Sequence, residues 1–220
     1  MDDDLRELER EVGLGDPVAA AAMLRRRIRA GEVAANAARV LARLGDPAAV
    51  SLYPDREREG LEEAYAELIA MNPVLGLRAL CAAVSAGLPR FRAWLPTDIA
   101  VAMALEACLD WLADRSPESA AAAEEWAPRA RESVNLVNVH LLDRYRIGQL
   151  SGHELRALEY TAWTARDAAE GVLRLESGEA PVPDSLVRLV GLWRDSGWGD
   201  LRARVRAAVQ PDLLGGGSPS

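Results

Sequence analysis

Apolar residues recur along this chain at intervals of three and four, the spacing that gathers them on one face of a helix. Over residues 32–44, Val33, Ala37, Val40, Leu41 and Leu44 keep that period. It returns over residues 151–176, where Leu155, Leu158, Ala162, Ala165, Ala169, Val172 and Leu173 oppose Arg156, Glu159, Asp167, Glu170 and Arg174. No segment alternates apolar and polar residues between hairpin turns. The pattern therefore predicts an all-α chain of about ten helices, stacked as an α-solenoid or gathered into an irregular multi-helix bundle.

Start and stop signals divide the pattern. Asp16-Pro17 begins a helix: the Asp carboxylate accepts an orphan backbone N–H, and Pro has none to leave unpaired. Gly31 ends that helix, and Gly45-Asp46-Pro47 repeats Gly15-Asp16-Pro17 thirty positions later. Further helices are expected over 56–71, from Asn72-Pro73 to a stop at Gly87, and over 98–115, where the sequence is apolar almost all round and reads as a central helix. Ser116-Pro117 opens another, which Pro128 should kink or break before 132–147 continues. Ser151-Gly152-His153-Glu154 fits a capping box. The last expected helices cover 184–195 and run from Gly199-Asp200 to a stop at Pro211. Residues 1–53 resemble the short HEAT-like, Ala/Arg-rich repeats of GC-rich bacterial proteins, and such repeats imply protein binding. The expected organisation is this repeat segment, a helical domain over 54–212 and a low-complexity, disordered tail over 213–220.

Composition narrows the chemistry. All 26 basic residues are Arg, which excludes a Schiff-base lysine, a general-base lysine and the phosphate-gripping lysine of P-loops and kinases. A formal charge of −8 opposes nonspecific nucleic-acid binding, which needs a basic surface to displace counterions. The acidic start, and the lack of any apolar run near the roughly 18 residues of a span, point to a cytoplasmic protein without a membrane partner. Cys81 and Cys108 show no CxxC spacing and read as buried, reduced thiols.

Candidate reactive groups are sparse. His140 and His153 are the two histidines; His153-Glu154 does not extend to HExxH, so no metal site is expected. GxSxG, GxGxxG and GxxxxGK[ST] are absent, and with them any signal for a cofactor. An enzyme would have to assemble its site from separate helices, with His140, Asn138 and Asp143 as first candidates, or pair Cys81 with His140. Asn135 and Asn138, one turn apart among Val and Leu, read as buried amides that fix a helix crossing or line a polar pocket.

Binding candidates are more numerous. Glu106, Asp110 and Asp114 form an acidic stripe at four-residue spacing, suited to an Arg-rich partner or simply to solvent. Arg25, Arg26, Arg27 and Arg29 form the main basic cluster. Among the six Trp residues, Trp126 and Trp198 lie beside charge or glycine and are candidate interface anchors.

The segment Ala104-Leu105-Glu106-Ala107-Cys108-Leu109-Asp110-Trp111-Leu112-Ala113-Asp114, followed by Ser116-Pro117-Glu118, is similar to helical immunity proteins of bacterial toxin systems. That resemblance implies stoichiometric toxin binding, with the stripe around Asp110 as a contact surface. The expected function is a noncatalytic interaction module: an adaptor, regulatory subunit or immunity factor that binds another protein. Two alternatives stay open, an enzyme or ligand sensor with a site assembled from separate helices, and a protein cut by a partner protease near Tyr53 or Gly178. Neither the partner's identity nor the oligomeric state is fixed by the sequence.

Overall fold

Capping chemistry sets where the helices begin. The computed structural model describes residues 2–58, 61–181 and 201–215. Its helices are α1 (Asp2–Gly13), α2 (Pro17–Arg29), α3 (Ala35–Arg43), α4 (Pro47–Leu52), a 3-10 turn (Pro54–Arg58), α5 (Leu61–Met71), α6 (Pro73–Trp94), α7 (Ala100–Asp114), α8 (Pro117–Arg146), α9 (Gly152–Glu176) and α10 (Leu201–Leu213). No strand occurs among the described residues, and the fold is all-α. Asp16, Asp46, Asn72 and Ser116 each cap a helix whose first residue is Pro. Ser151 and Glu154 close the capping box of α9. The expected helix over 184–195 and the Gly199-Asp200 start lie outside the described residues.

The chain forms two compact units, one from residues 1–67 and 206–220, the other from 68–205. The boundary expected near residue 54 therefore falls inside the first unit. In that unit the repeated Gly-Asp-Pro is also a structural repeat. Gly15 and Gly45 have φ of +83° and +73°, the left-handed conformation in which glycine ends a helix without strain. The following Asp N–H reaches back in both places, Asp16 to Glu11 O at 3.1 Å and Asp46 to Leu41 O at 2.9 Å. The second turn also receives α10: Arg206 donates to Gly45 O, and Gln210 Nε2 donates to Asp46 Oδ2 at 3.1 Å. Arg27 donates to Leu214 O, and the buried Arg43 pairs with Glu67. Leu213, expected in a disordered tail, is a buried residue of α10; residues 216–220 lie outside the described residues.

The second unit is built on α6, α7, α8 and α9, with α7 and α9 each packed on the other three. Its core is rich in small residues: Ala104 and Ala107 on α7, Ala123, Ala127 and Ala130 on α8, and Ala157, Ala162, Ala165, Ala168 and Ala169 on α9 are buried. Small side chains let helix axes approach toward the short end of the usual 8–10 Å range. Gly87 marks a close approach. It does not end α6, as expected from sequence, but lies within it, where an added Cβ would come within 2.8 Å of Thr161 Cγ2 and closer still to Oγ1. The Thr161 hydroxyl is already committed to Ala157 O at 2.7 Å. Alpha-6 meets the length and hydropathy of a bilayer span, yet its apolar residues from Leu75 to Phe91 are largely buried in the unit, as in a core helix.

Pro128 and Pro211, expected to interrupt helices, do not, and Pro89 is likewise carried within one. Pro89, Pro128 and Pro211 lie inside α6, α8 and α10. A helical proline removes one hydrogen bond and crowds the carbonyl four residues earlier. All three prolines are exposed, as are Ser85, Glu124 and Ala207 four residues before them, so each freed carbonyl belongs to the solvent side. Residues buried on both sides of Pro128, including Ala123, Ala127, Ala130 and Val134, hold the 30-residue α8 in one piece.

The Gly87 contact yields a stability prediction. Gly87→Ala should cost about 1–3 kcal/mol through overpacking, although alanine favours helix, and urea unfolding measures it. Thr161→Ala removes the two nearest atoms, so the double variant should recover part of the loss.

Candidate functional site

Alpha-7 divides cleanly into two faces. Ala100, Val101, Ala104, Leu105, Ala107, Cys108 and Trp111 are buried, whereas Glu106, Leu109, Asp110 and Ala113 are exposed. The near-continuous apolar run therefore forms not a helix surrounded by core but one with an open outer face. Leu109 is 46% exposed and lies one turn after Glu106 on the helix surface. Neither Glu106 nor Asp110 has an ion-pair partner among the described residues. Sequence reading missed Leu109, although its position three residues after Glu106 places it beside that acid on the helix surface.

Fixed contacts at both ends hold this face in place. At the start, Asp98 Oδ1 accepts from Ala100 N at 3.0 Å. Near the end, Trp111 Nε1 donates to Glu176 Oε1 on α9 at 2.7 Å. Arg115 then takes φ +50° and donates its N–H to Trp111 O at 2.8 Å. A left-handed non-glycine residue is uncommon, and here it makes the tight corner into α8.

Asp114 belongs to that corner rather than to the open stripe. Its Oδ1 accepts from Ser116 N at 2.9 Å and from Ser119 Oγ at 3.2 Å. The Ser116 backbone bond, with help from the Ser116 and Ser119 side chains, holds its carboxyl below the ordinary aspartate value. Of the three acids expected to act together, Glu106 and Asp110 remain on the open face and Asp114 is turned to a structural task.

The other candidates disperse. Arg25, Arg26 and Arg29 are exposed near the end of α2, where positive charge suits the helix C-terminus; Arg27 faces Glu32 at 3.4 Å. Trp126 is half-buried, with the Arg129 guanidinium 4.5 Å from its ring centroid and Arg129 itself 3.0 Å from Glu125. Trp198 lies outside the described residues. His140 and His153 are both exposed. Asn135 and Asn138, expected to be buried, are exposed too, and Asn138 Nδ2 donates to Val134 O of its own helix at 3.2 Å. Asp143 pairs with Arg146 at 3.2 Å, so His140, Asn138 and Asp143 share a helix without forming a hydrogen-bonded set. No group of three or more metal-ligating side chains occurs among the described residues.

Cys81 and Cys108 are buried free thiols, as expected. The structure adds that they meet: a hydrogen bond from Cys81, together with burial, pushes the Cys108 thiol well above its ordinary pKa. A neutral, enclosed thiol is a poor nucleophile. This pair therefore serves the α6–α7 packing rather than nucleophilic chemistry.

No family model matches the sequence, no curated protein is similar to it, and no solved structure matches its fold.

Two outcomes follow from these contacts. Because the folded pKa of Asp114 lies below its unfolded value, its stabilising contribution is present above the unfolded pKa and lost as pH falls through the folded one. Asp114→Asn should lower the melting temperature at neutral pH, and its difference from the parent should shrink as melts are repeated at progressively more acidic pH. Neither cysteine should react with an aromatic disulfide reagent in the native protein, and both should react once denaturant opens the core.

Proposed function

We propose that this chain is a noncatalytic protein-interaction module, acting as an adaptor, regulatory subunit or immunity factor in a bacterial conflict or signalling system. The observation that carries the reading is the outer face of α7, which exposes Leu109 together with Glu106 and Asp110, neither acid having an ion-pair partner among the described residues. An apolar side chain beside charge combines two elements of a binding surface. Burying Leu109 would supply affinity, and the carboxylates would orient and accelerate the encounter with a basic partner. Restraint by Asp98, Trp111 and the Asp114 corner supports the same reading, since a face held in position loses little freedom on binding. The matching partner surface is an apolar recess bordered by Arg or Lys.

The experiment is affinity isolation of the full chain from its native host at low salt, repeated with two variants. Glu106→Arg combined with Asp110→Arg should abolish recovery of a stoichiometric protein partner. Leu109→Ser should weaken the purified complex roughly tenfold or more, the scale of a central interface residue. A partner retained undiminished by both variants, or a chain that copurifies only with a small metabolite, would refute the proposal.

A further inference from the structure

We propose that a second copy of this chain docks antiparallel on the outer face of α8, about a two-fold axis at Val139. The buried face of α8 carries Ala123, Ala127, Ala130, Ser133, Val134, Val137 and Leu141. On the opposite side Val139 is 70% and Leu136 38% exposed, with Leu142 half-buried beside them and Ile147, 66% exposed, just beyond the helix. Charge is missing from the same place. Glu124, Glu125, Arg129, Arg131 and Glu132 precede it and Asp143, Arg144 and Arg146 follow, but residues 133–142 contain no acid and no Arg. A helix face that only meets water normally carries charge opposite its buried stripe. Here a central uncharged section is bracketed by charge.

The brackets are complementary to each other when the helix is reversed. In an isologous pair each residue meets the one equally distant on the other side of the axis. With the axis at Val139, that residue meets its own copy, Leu136 shares a layer with Leu142, Asn135 with Asp143, and Glu132 with Arg146. Apolar groups are thus matched with apolar ones, an amide donor with a carboxylate, and an acid with a base. Moving the axis by half a heptad toward the C-terminus would set Val139 against Arg146, and a parallel pair would oppose Glu132 to Glu132. The present Asp143–Arg146 contact is between two exposed groups, so it is weak enough to exchange for partners across the axis.

One helix from each copy covers less than the roughly 800 Å² per partner of a standard interface, so the dimer is expected to depend on concentration. Sedimentation velocity on the full chain at low salt should show a mass rising from 23.8 kDa toward twice that value as concentration increases. Val139→Arg should weaken association roughly tenfold or more, with an unchanged helical circular dichroism signal. Glu132→Arg should weaken it as well, and Glu132→Arg combined with Arg146→Glu should restore it. A chain that remains monomeric at the highest concentrations reached, a dimer indifferent to Val139→Arg, or a charge swap that restores nothing would each overturn the proposal. Glu106→Arg with Asp110→Arg should leave the dimer intact, which separates this test from that of the α7 surface.

Discussion

The near-contact of Gly87 with Thr161 is the constraint on which the second unit depends. A helix pair can approach this closely only if neither side brings a large side chain to the crossing, and the alanines of α9 continue the same condition on either side. At Gly171, by contrast, a Cβ would meet Leu77 Cδ1 at 3.5 Å and Pro181 Cβ at 3.4 Å, ordinary packing distances. A core built this way relies on close backbone approach and many small contacts more than on bulky aromatics. Phe91 and Trp111 are the buried large aromatics of the unit among the described residues, whereas Trp94, Trp126 and Trp163 are only partly covered.

Close packing also decides what is left for binding. Once α6, α7, α8 and α9 have spent their small-residue faces on one another, the chain's distinguishing chemistry lies on the outer sides. On α9 that side is closed by its own contacts: Arg166 bonds Glu170 at 2.8 and 2.7 Å and lies 5.1 Å from the Trp163 ring centroid. On α7 and on the second half of α8 it is open, with exposed Leu109 and Val139 respectively. The two open faces differ in kind. That of α7 is acidic and suits an unlike, basic partner, whereas that of α8 is uncharged at its centre and complementary to its own reverse.

In the first unit a single carboxylate links local and long-range structure. Asp46 Oδ1 caps α4 by accepting from Ala49 N at 2.9 Å, and its Oδ2 accepts from Gln210. The group that starts a helix thus also helps seat another that lies more than 150 positions away in sequence. Asp16 makes the corresponding local bond to Val18 N at 2.8 Å, but it is exposed, so the two copies of the repeat differ in burial while sharing backbone geometry.

By itself the sequence determined the all-α class, the Asp-Pro, Asn-Pro and Ser-Pro starts, the capping box at Ser151 and the burial of both cysteines. Each is encoded within a turn or two of helix, by hydrophobic period or by the reach of one side chain to a nearby N–H. Only tertiary structure decided that Gly87 is a crossing point instead of a stop, and that Pro89, Pro128 and Pro211 are carried through their helices. It also decided that α10 from Arg206 onward joins the first unit, that Asp114 leaves the acidic stripe, and that Asn135 and Asn138 face water. In each of these cases the deciding atom, such as Thr161 Oγ1 against Gly87 or Gln210 Nε2 on Asp46, comes from elsewhere in the fold or from which side of a helix the fold covers. A residue's near neighbours cannot encode that choice.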